Sequence, residues 1–72
     1  MVTVQVFSQS SGNPVQGSRV GISVGSAGVY YEYTDSSGEA HFANVSPGET
    51  EVYVDGKTAF KGRVEGRKVV YI

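Results

Sequence analysis

Apolar residues in this chain recur at every second position, in short runs, and almost nowhere at a helical spacing. Val2, Val4 and Val6 alternate with Thr3, Gln5 and Phe7, and Val20, Ile22 and Val24 alternate with Arg19, Gly21 and Ser23. A period of two is the signature of a strand with one face buried. The same alternation marks Val29–Thr34, Glu39–Ala43, Glu49–Asp55, Thr58–Val64 and Lys68–Ile72. Turn chemistry punctuates the runs at Ser11-Gly12-Asn13-Pro14, Gly25-Ser26-Ala27-Gly28, Asp35-Ser36-Ser37-Gly38, Ser46-Pro47-Gly48 and Asp55-Gly56. Short strands with a turn about every ten residues specify an all-β sandwich or barrel. The expectation is a seven-stranded Greek-key β-sandwich with antiparallel or mixed pairing.

With 72 residues the chain has room for a single domain, residues 1–72. Charged residues are 18% of it, below the roughly 25% of an average domain, and there are ten glycines, which disfavours helical bundles and coiled coils. The absence of cysteine excludes a disulfide framework, a thiolate zinc site and a cysteine nucleophile. One histidine cannot supply a nucleophile–base pair or a His-rich metal site. The expectation is a non-enzyme with no catalytic residue, no metal and no cofactor. Membrane insertion is not expected, because no apolar run approaches the roughly 20 residues of a spanning helix. Met1–Phe7 alternates and carries no basic side chain, so it does not read as a signal peptide.

Charge is divided along the chain. Residues 1–56 hold Arg19 against Glu32, Asp35, Glu39, Glu49, Glu51 and Asp55, while 57–72 hold Lys57, Lys61, Arg63, Arg67 and Lys68 against Glu65. A basic tail can serve nucleic acid, but here it alternates with apolar residues as a strand does. The hairpin at Asp55-Gly56 offers an internal neutralisation. A two-residue loop would turn Lys57 and Lys61 toward the core, which is costly. A three-residue loop, Asp55-Gly56-Lys57, pairs Val54 with Thr58, Val52 with Phe60, Glu51 with Lys61 and Glu49 with Arg63. That register leaves both faces consistent. It places Phe60 in the core, where truncation to alanine would cost roughly 3–5 kcal/mol. No nucleic-acid partner is expected.

Three segments resemble one family. Gly12-Asn13-Pro14-Val15-Gln16-Gly17-Ser18-Arg19-Val20 resembles the opening of carboxypeptidase regulatory-like domains, G-x-P-V-x-G-A-x-V. Thr34-Asp35-Ser36-Ser37-Gly38-Glu39-Ala40-His41-Phe42 resembles their T-D-x-x-G-x-F-x-F hairpin, and Val45–Val54 resembles the L-x-P-G-x-Y-x-V-x-V that follows. The resemblance implies a transthyretin-like (prealbumin-like) sandwich, related to the collagen-adhesin B-type repeats of bacterial surface proteins. It also implies a noncatalytic accessory module, extracellular or in the cell envelope. Ala40 and Thr50 stand where the family prefers aromatics; Tyr31 and Tyr33, assigned to the inner face, would fill that space. The isopeptide bond of some adhesin repeats is not expected, because residues 2–7 lack lysine and 67–72 lack asparagine.

The candidate contact residues are Tyr30, His41 and Tyr53, all assigned to polar faces, with His41 near Glu39 and Glu51. Aromatic side chains on a flat strand surface can anchor a protein partner or stack on a sugar. The expected role is structural or protein-binding, through a sheet face or an exposed edge strand. The alternative is carbohydrate binding through Tyr30 and Tyr53. Asp35 with Glu39 reads as turn chemistry, since Ca²⁺ takes six to eight oxygens.

Overall fold

The computed structural model describes residues 1–25 and 28–72, so the middle of the expected Gly25–Gly28 turn, Ser26 and Ala27, lies outside the described residues. The strands are β1 (Val2–Phe7), β2 (Arg19–Ser23), β3 (Val29–Tyr33), β4 (Glu39–Phe42), β5 (Gly48–Val54), β6 (Lys57–Val64) and β7 (Arg67–Tyr71). Each begins and ends within one residue of the run marked by the alternation. Among the described residues no helix is long and apolar enough to cross a membrane.

The strands form a three-stranded sheet, β4-β1-β7, and a four-stranded sheet, β3-β2-β5-β6. Pairing is antiparallel except between β1 and β7, which run parallel. The fold is therefore the mixed all-β sandwich that the pattern specifies. The core lies between the sheets. Val2, Val4 and Val6 of β1 meet Val20 and Ile22 of β2 and Val52 and Val54 of β5, with Ala40, Phe42, Val45, Val64 and Val70 around them. All these side chains are buried. Full burial of a branched side chain contributes about 1.5–3 kcal/mol, and a chain this small depends on that row of valines.

The turn at Asp35–Gly38 forms as its sequence dictates. The Asp35 Oδ1 accepts from the backbone N–H of Ser37 at 2.9 Å and of Glu39 at 3.0 Å. The Gly38 N–H donates to the Asp35 carbonyl at 2.9 Å, which closes the turn.

Three expectations are corrected. First, the β5–β6 loop has two residues. Asp55 and Gly56 take φ of +51° and +86°, the backbone of a type I′ turn, and Val54 pairs with Lys57. Tyr53 then pairs with Thr58, Ala59 is an extra residue, and from Phe60 onward the register is the expected one, with Val52 opposite Phe60 and Glu51 opposite Lys61. A bulge thus reconciles the tight turn with the face assignments. Lys57 is exposed at the end of the sheet, so the desolvation cost that argued against the short loop does not arise. Second, Tyr31 and Tyr33 are not in the core. They lie opposite Gly21 and Arg19 and are 52% and 67% exposed. β3 is an edge strand, and Tyr30 and Glu32 on its other side, opposite Ile22 and Val20, are exposed too.

Third, the basic tail finds its acids mainly elsewhere. Arg63 pairs with Glu65 at 2.5 Å and Arg67 with Glu39 at 2.6 Å. Phe60 is only partly buried. It packs against the core with its ring beside Gly62, and the Lys68 Nζ stands 3.8 Å from its centroid.

Candidate functional site

The two outer faces of the sandwich differ in chemistry. On the three-stranded sheet, polar groups are joined to one another. The Thr3 hydroxyl bonds the His41 Nδ1 at 3.0 Å. The His41 Nε2 lies 3.7 Å from Asp35 and 3.8 Å from Glu39. Arg67 reaches Glu39 and also donates to the Gln5 Oε1 at 2.5 Å. One atom each from Asp35, Glu39 and His41 lies within 4.8 Å of the others. Arg67 already holds a cation against that cluster, and backbone N–H groups take the Asp35 Oδ1. The arrangement is an exposed ion-pair network that braces β1, β4 and β7.

The pKa of Asp35 is displaced downward. The Glu39 and Ser37 N–H groups that donate to its carboxylate, with His41 nearby, hold it below the ordinary 3.8 against a smaller opposing effect of desolvation. A depressed carboxyl contributes stability above its unfolded pKa and loses it as the pH falls through the folded value. Asp35→Asn keeps the acceptor oxygen but cannot ionise. The stability difference between wild type and Asp35→Asn is expected to shrink as pH falls through 3.8 and below. Urea midpoints across that range measure it; a difference independent of pH would contradict the account.

The outer face of the four-stranded sheet is aromatic. The register sets Tyr31 of β3, Gly21 of β2 and Tyr53 of β5 in one cross-strand row. Gly21 makes the row possible, since a Cβ there would stand 2.8 Å from the Tyr31 Cε1. The Tyr31 ring therefore lies down over the β2 backbone, and the Arg19 guanidinium sits over it, 4.7 Å from the centroid. The Tyr53 hydroxyl donates to Glu51 Oε2 at 3.1 Å. Its pKa is raised, first by desolvation and then by that carboxylate. Tyr33 stands opposite Arg19 and Val29 opposite Ser23, completing a face of three tyrosines, one valine and one arginine.

The candidate residues Tyr30, His41 and Tyr53 do not converge. Tyr53 belongs to the aromatic face. Tyr30 and His41 line a groove of about 170 Å³ between β3 and β4, with Tyr31, Glu32, Phe42 and Asn44. That is small beside the roughly 300–1,000 Å³ of a ligand pocket. His41 is near Glu39, as expected, but Glu51 lies on the other sheet, where it faces Lys61 across the hairpin. Tyr31 and Tyr33 are the residues that sequence reasoning assigned to the wrong face. The signal that could have found them is Gly21, a glycine at an outer position in mid-strand, where a neighbouring ring needs the space of the missing side chain.

A four-stranded sheet against a three-stranded one, around a valine core, is the architecture of an immunoglobulin-like β-sandwich. The sequence comparison agrees: residues 1–69 match the family described as DR_A0283-like, Ig-like domain, and the chain belongs to this Ig-like domain family. No curated protein and no solved structure matched the chain. Family membership supports a noncatalytic module in general terms.

Proposed function

We propose that the domain is a protein-interaction module whose contact surface is the aromatic face of the four-stranded sheet. The observation that carries this reading is the outward-facing row Tyr31–Gly21–Tyr53, in which Tyr31 is exposed, Tyr53 is partly buried and Arg19 lies over Tyr31. Tyrosine and arginine are the residue types that concentrate binding energy in interfaces. The ring over Gly21 is held in place before any partner arrives, which lowers the ordering cost of binding. Glu49, Glu51, Lys61 and Arg63 on the same sheet would supply a charged rim. The finer placement, an accessory domain of a cell-surface or secreted protein, rests on the likeness of the Gly12–Val20, Thr34–Phe42 and Val45–Val54 segments to carboxypeptidase regulatory-like domains. Nucleic acid fits less well, because Arg63 and Arg67 are already engaged by acids.

The test is a photocrosslinking amino acid at position 33, in cells that make the protein. A discrete adduct with a protein other than a second copy of the chain is expected, reduced at least tenfold by Tyr31→Ser with Tyr53→Ser, while the melting temperature of the purified variant stays within a few degrees. An adduct indifferent to both substitutions would refute the face assignment.

The second reading is carbohydrate binding. It rests on Tyr53 with Tyr31 rather than with Tyr30, because Tyr31 shares the row of Gly21 and Tyr53 while Tyr30 lies opposite Ile22. Glycan-array binding that disappears on Tyr53→Ala would favour it over the protein reading.

A further inference from the structure

The sandwich has four lateral edges, and three of them carry features that discourage strand addition. β6 presents Lys57, Lys61 and Arg63 and is bulged at Ala59. β7 carries Arg67 and Lys68. β4 has only four residues. Charge, bulges and brevity are the means by which natural sheets protect their edges. β3 has no bulge and a single charged side chain, Glu32. Its sequence is Val-Tyr-Tyr-Glu-Tyr, every residue is exposed, and its register with β2 is continuous from Val29 to Tyr33.

The ladder also fixes which backbone groups face outward. The Thr34 N–H donates to the Ser18 carbonyl at 2.9 Å, and the Val24 N–H donates to the Gly28 carbonyl at 2.9 Å. Antiparallel pairs alternate between hydrogen-bonded and non-bonded, so Tyr30 and Glu32 direct their N–H and C=O groups at β2. Val29, Tyr31 and Tyr33 direct theirs away from it.

We propose that two copies of this chain pair through β3, antiparallel, with the two-fold axis at Tyr31. In that register Tyr31 faces Tyr31 of the second copy and Val29 faces Tyr33, and the outward N–H and C=O groups of all three residues are matched. Tyr30 faces Glu32, so the acid at the edge meets a tyrosine rather than its own copy. Moving the axis to Glu32 would set like charges opposite each other, which is destabilising. Moving it to Tyr30 would leave Tyr33 outside the pairing with β3. The register on Tyr31 pairs all five residues of β3 without a charge conflict, so the strand is complementary to a second copy of itself. The two four-stranded sheets would join into one, and the two aromatic faces would become continuous.

The contact is small. A five-residue strand pair buries less than the roughly 1,200–2,000 Å² of a stable interface. The expected dissociation constant is therefore weak, roughly 10 µM to 1 mM. Sedimentation equilibrium of the wild-type chain over that range should show reversible dimerisation, and the amides of Val29, Tyr31 and Tyr33 should gain exchange protection as concentration rises. Tyr31→Lys and Tyr31→Glu each set a charge against its own copy and should be monomeric, with circular dichroism unchanged. An equimolar mixture of the two should recover a heterodimer, a result that partner binding at the aromatic face cannot produce. A wild-type chain that stays monomeric up to about 1 mM overturns the proposal. So does a dimer whose formation leaves those three amides unprotected, a readout that needs no variant to fold.

Discussion

Gly38→Ala is expected to destabilise the domain by about 3–5 kcal/mol, enough to leave little folded protein at 37 °C. Two effects combine at this position. Gly38 has φ of +78°, which costs an L residue roughly 1–2 kcal/mol. A Cβ there would also stand 2.6 Å from the Val6 carbonyl oxygen and 2.9 Å from the Pro14 Cβ. Neither neighbour can yield cheaply. Val6 is on the central strand of its sheet, and its N–H donates to the Gly38 carbonyl at 2.8 Å. Pro14 is bridged to Phe7. The matched control is Gly56→Ala, where φ is +86° but nothing lies within 4 Å of the added carbon. That variant should lose only about 1–2 kcal/mol. Urea denaturation of both separates strain from collision. Equal losses would show that Val6 and Pro14 move aside.

The same glycine shows how far the sequence can be read. Asp35-Ser36-Ser37-Gly38 announces a turn because aspartate bonds the backbone two residues on and glycine accepts positive φ. That is local chemistry, and local chemistry is visible in one chain. The contact of Gly38 with Val6 and Pro14 is not, because it depends on where β1 and the first loop lie in space. The strands were legible for the same reason, since alternation is a local property wherever a sheet has one wet face. β3 is where the inference failed. Its residues alternate too, but Val29, Tyr31 and Tyr33 are in phase with the outside, and an apolar phase points inward only when a facing sheet covers it. Tyr31 and Tyr33 take the outer phase of an edge strand, and Tyr30 on its other side borders only the open groove beside β4, so all three tyrosines stay exposed.

The β5–β6 hairpin was half legible. Charge and hydrophobic pairing along Glu49–Val52 and Phe60–Arg63 specified the register, whereas the bulge at Ala59 is an irregularity that no alternation reveals. The candidate site inherits both outcomes. The outward side of Tyr53 was legible from the phase of β5, whereas its partial burial was not. Its neighbour Tyr31 was hidden by the misread phase of β3, and Arg19 has meaning for the site only once Tyr31 is beneath it.

Ile22→Ala is the second large effect, expected to cost about 3–5 kcal/mol. Ile22 is fully buried on β2, an interior strand, opposite Val52 of β5. Removing three carbons there leaves a cavity walled by valines of both sheets, and backbone ladders on either side prevent its collapse. A domain of 72 residues has a total stability of about 4–10 kcal/mol, so the substitution takes a large share of it. Phe60→Ala is the informative comparison. From the sequence alone it would carry a similar penalty, but Phe60 is on edge strand β6, half-exposed, with Lys68 over its ring. Its truncation should cost about 1–2 kcal/mol, from partial burial and a half-buried cation–π contact. Lys61→Ala, on the outer face, should cost well under about 1 kcal/mol. The order Ile22, Phe60, Lys61 follows from a core centred on β1, β2 and β5. If Phe60→Ala proves as damaging as Ile22→Ala, the core extends to the β6 edge, and Phe60 is one of its principal side chains.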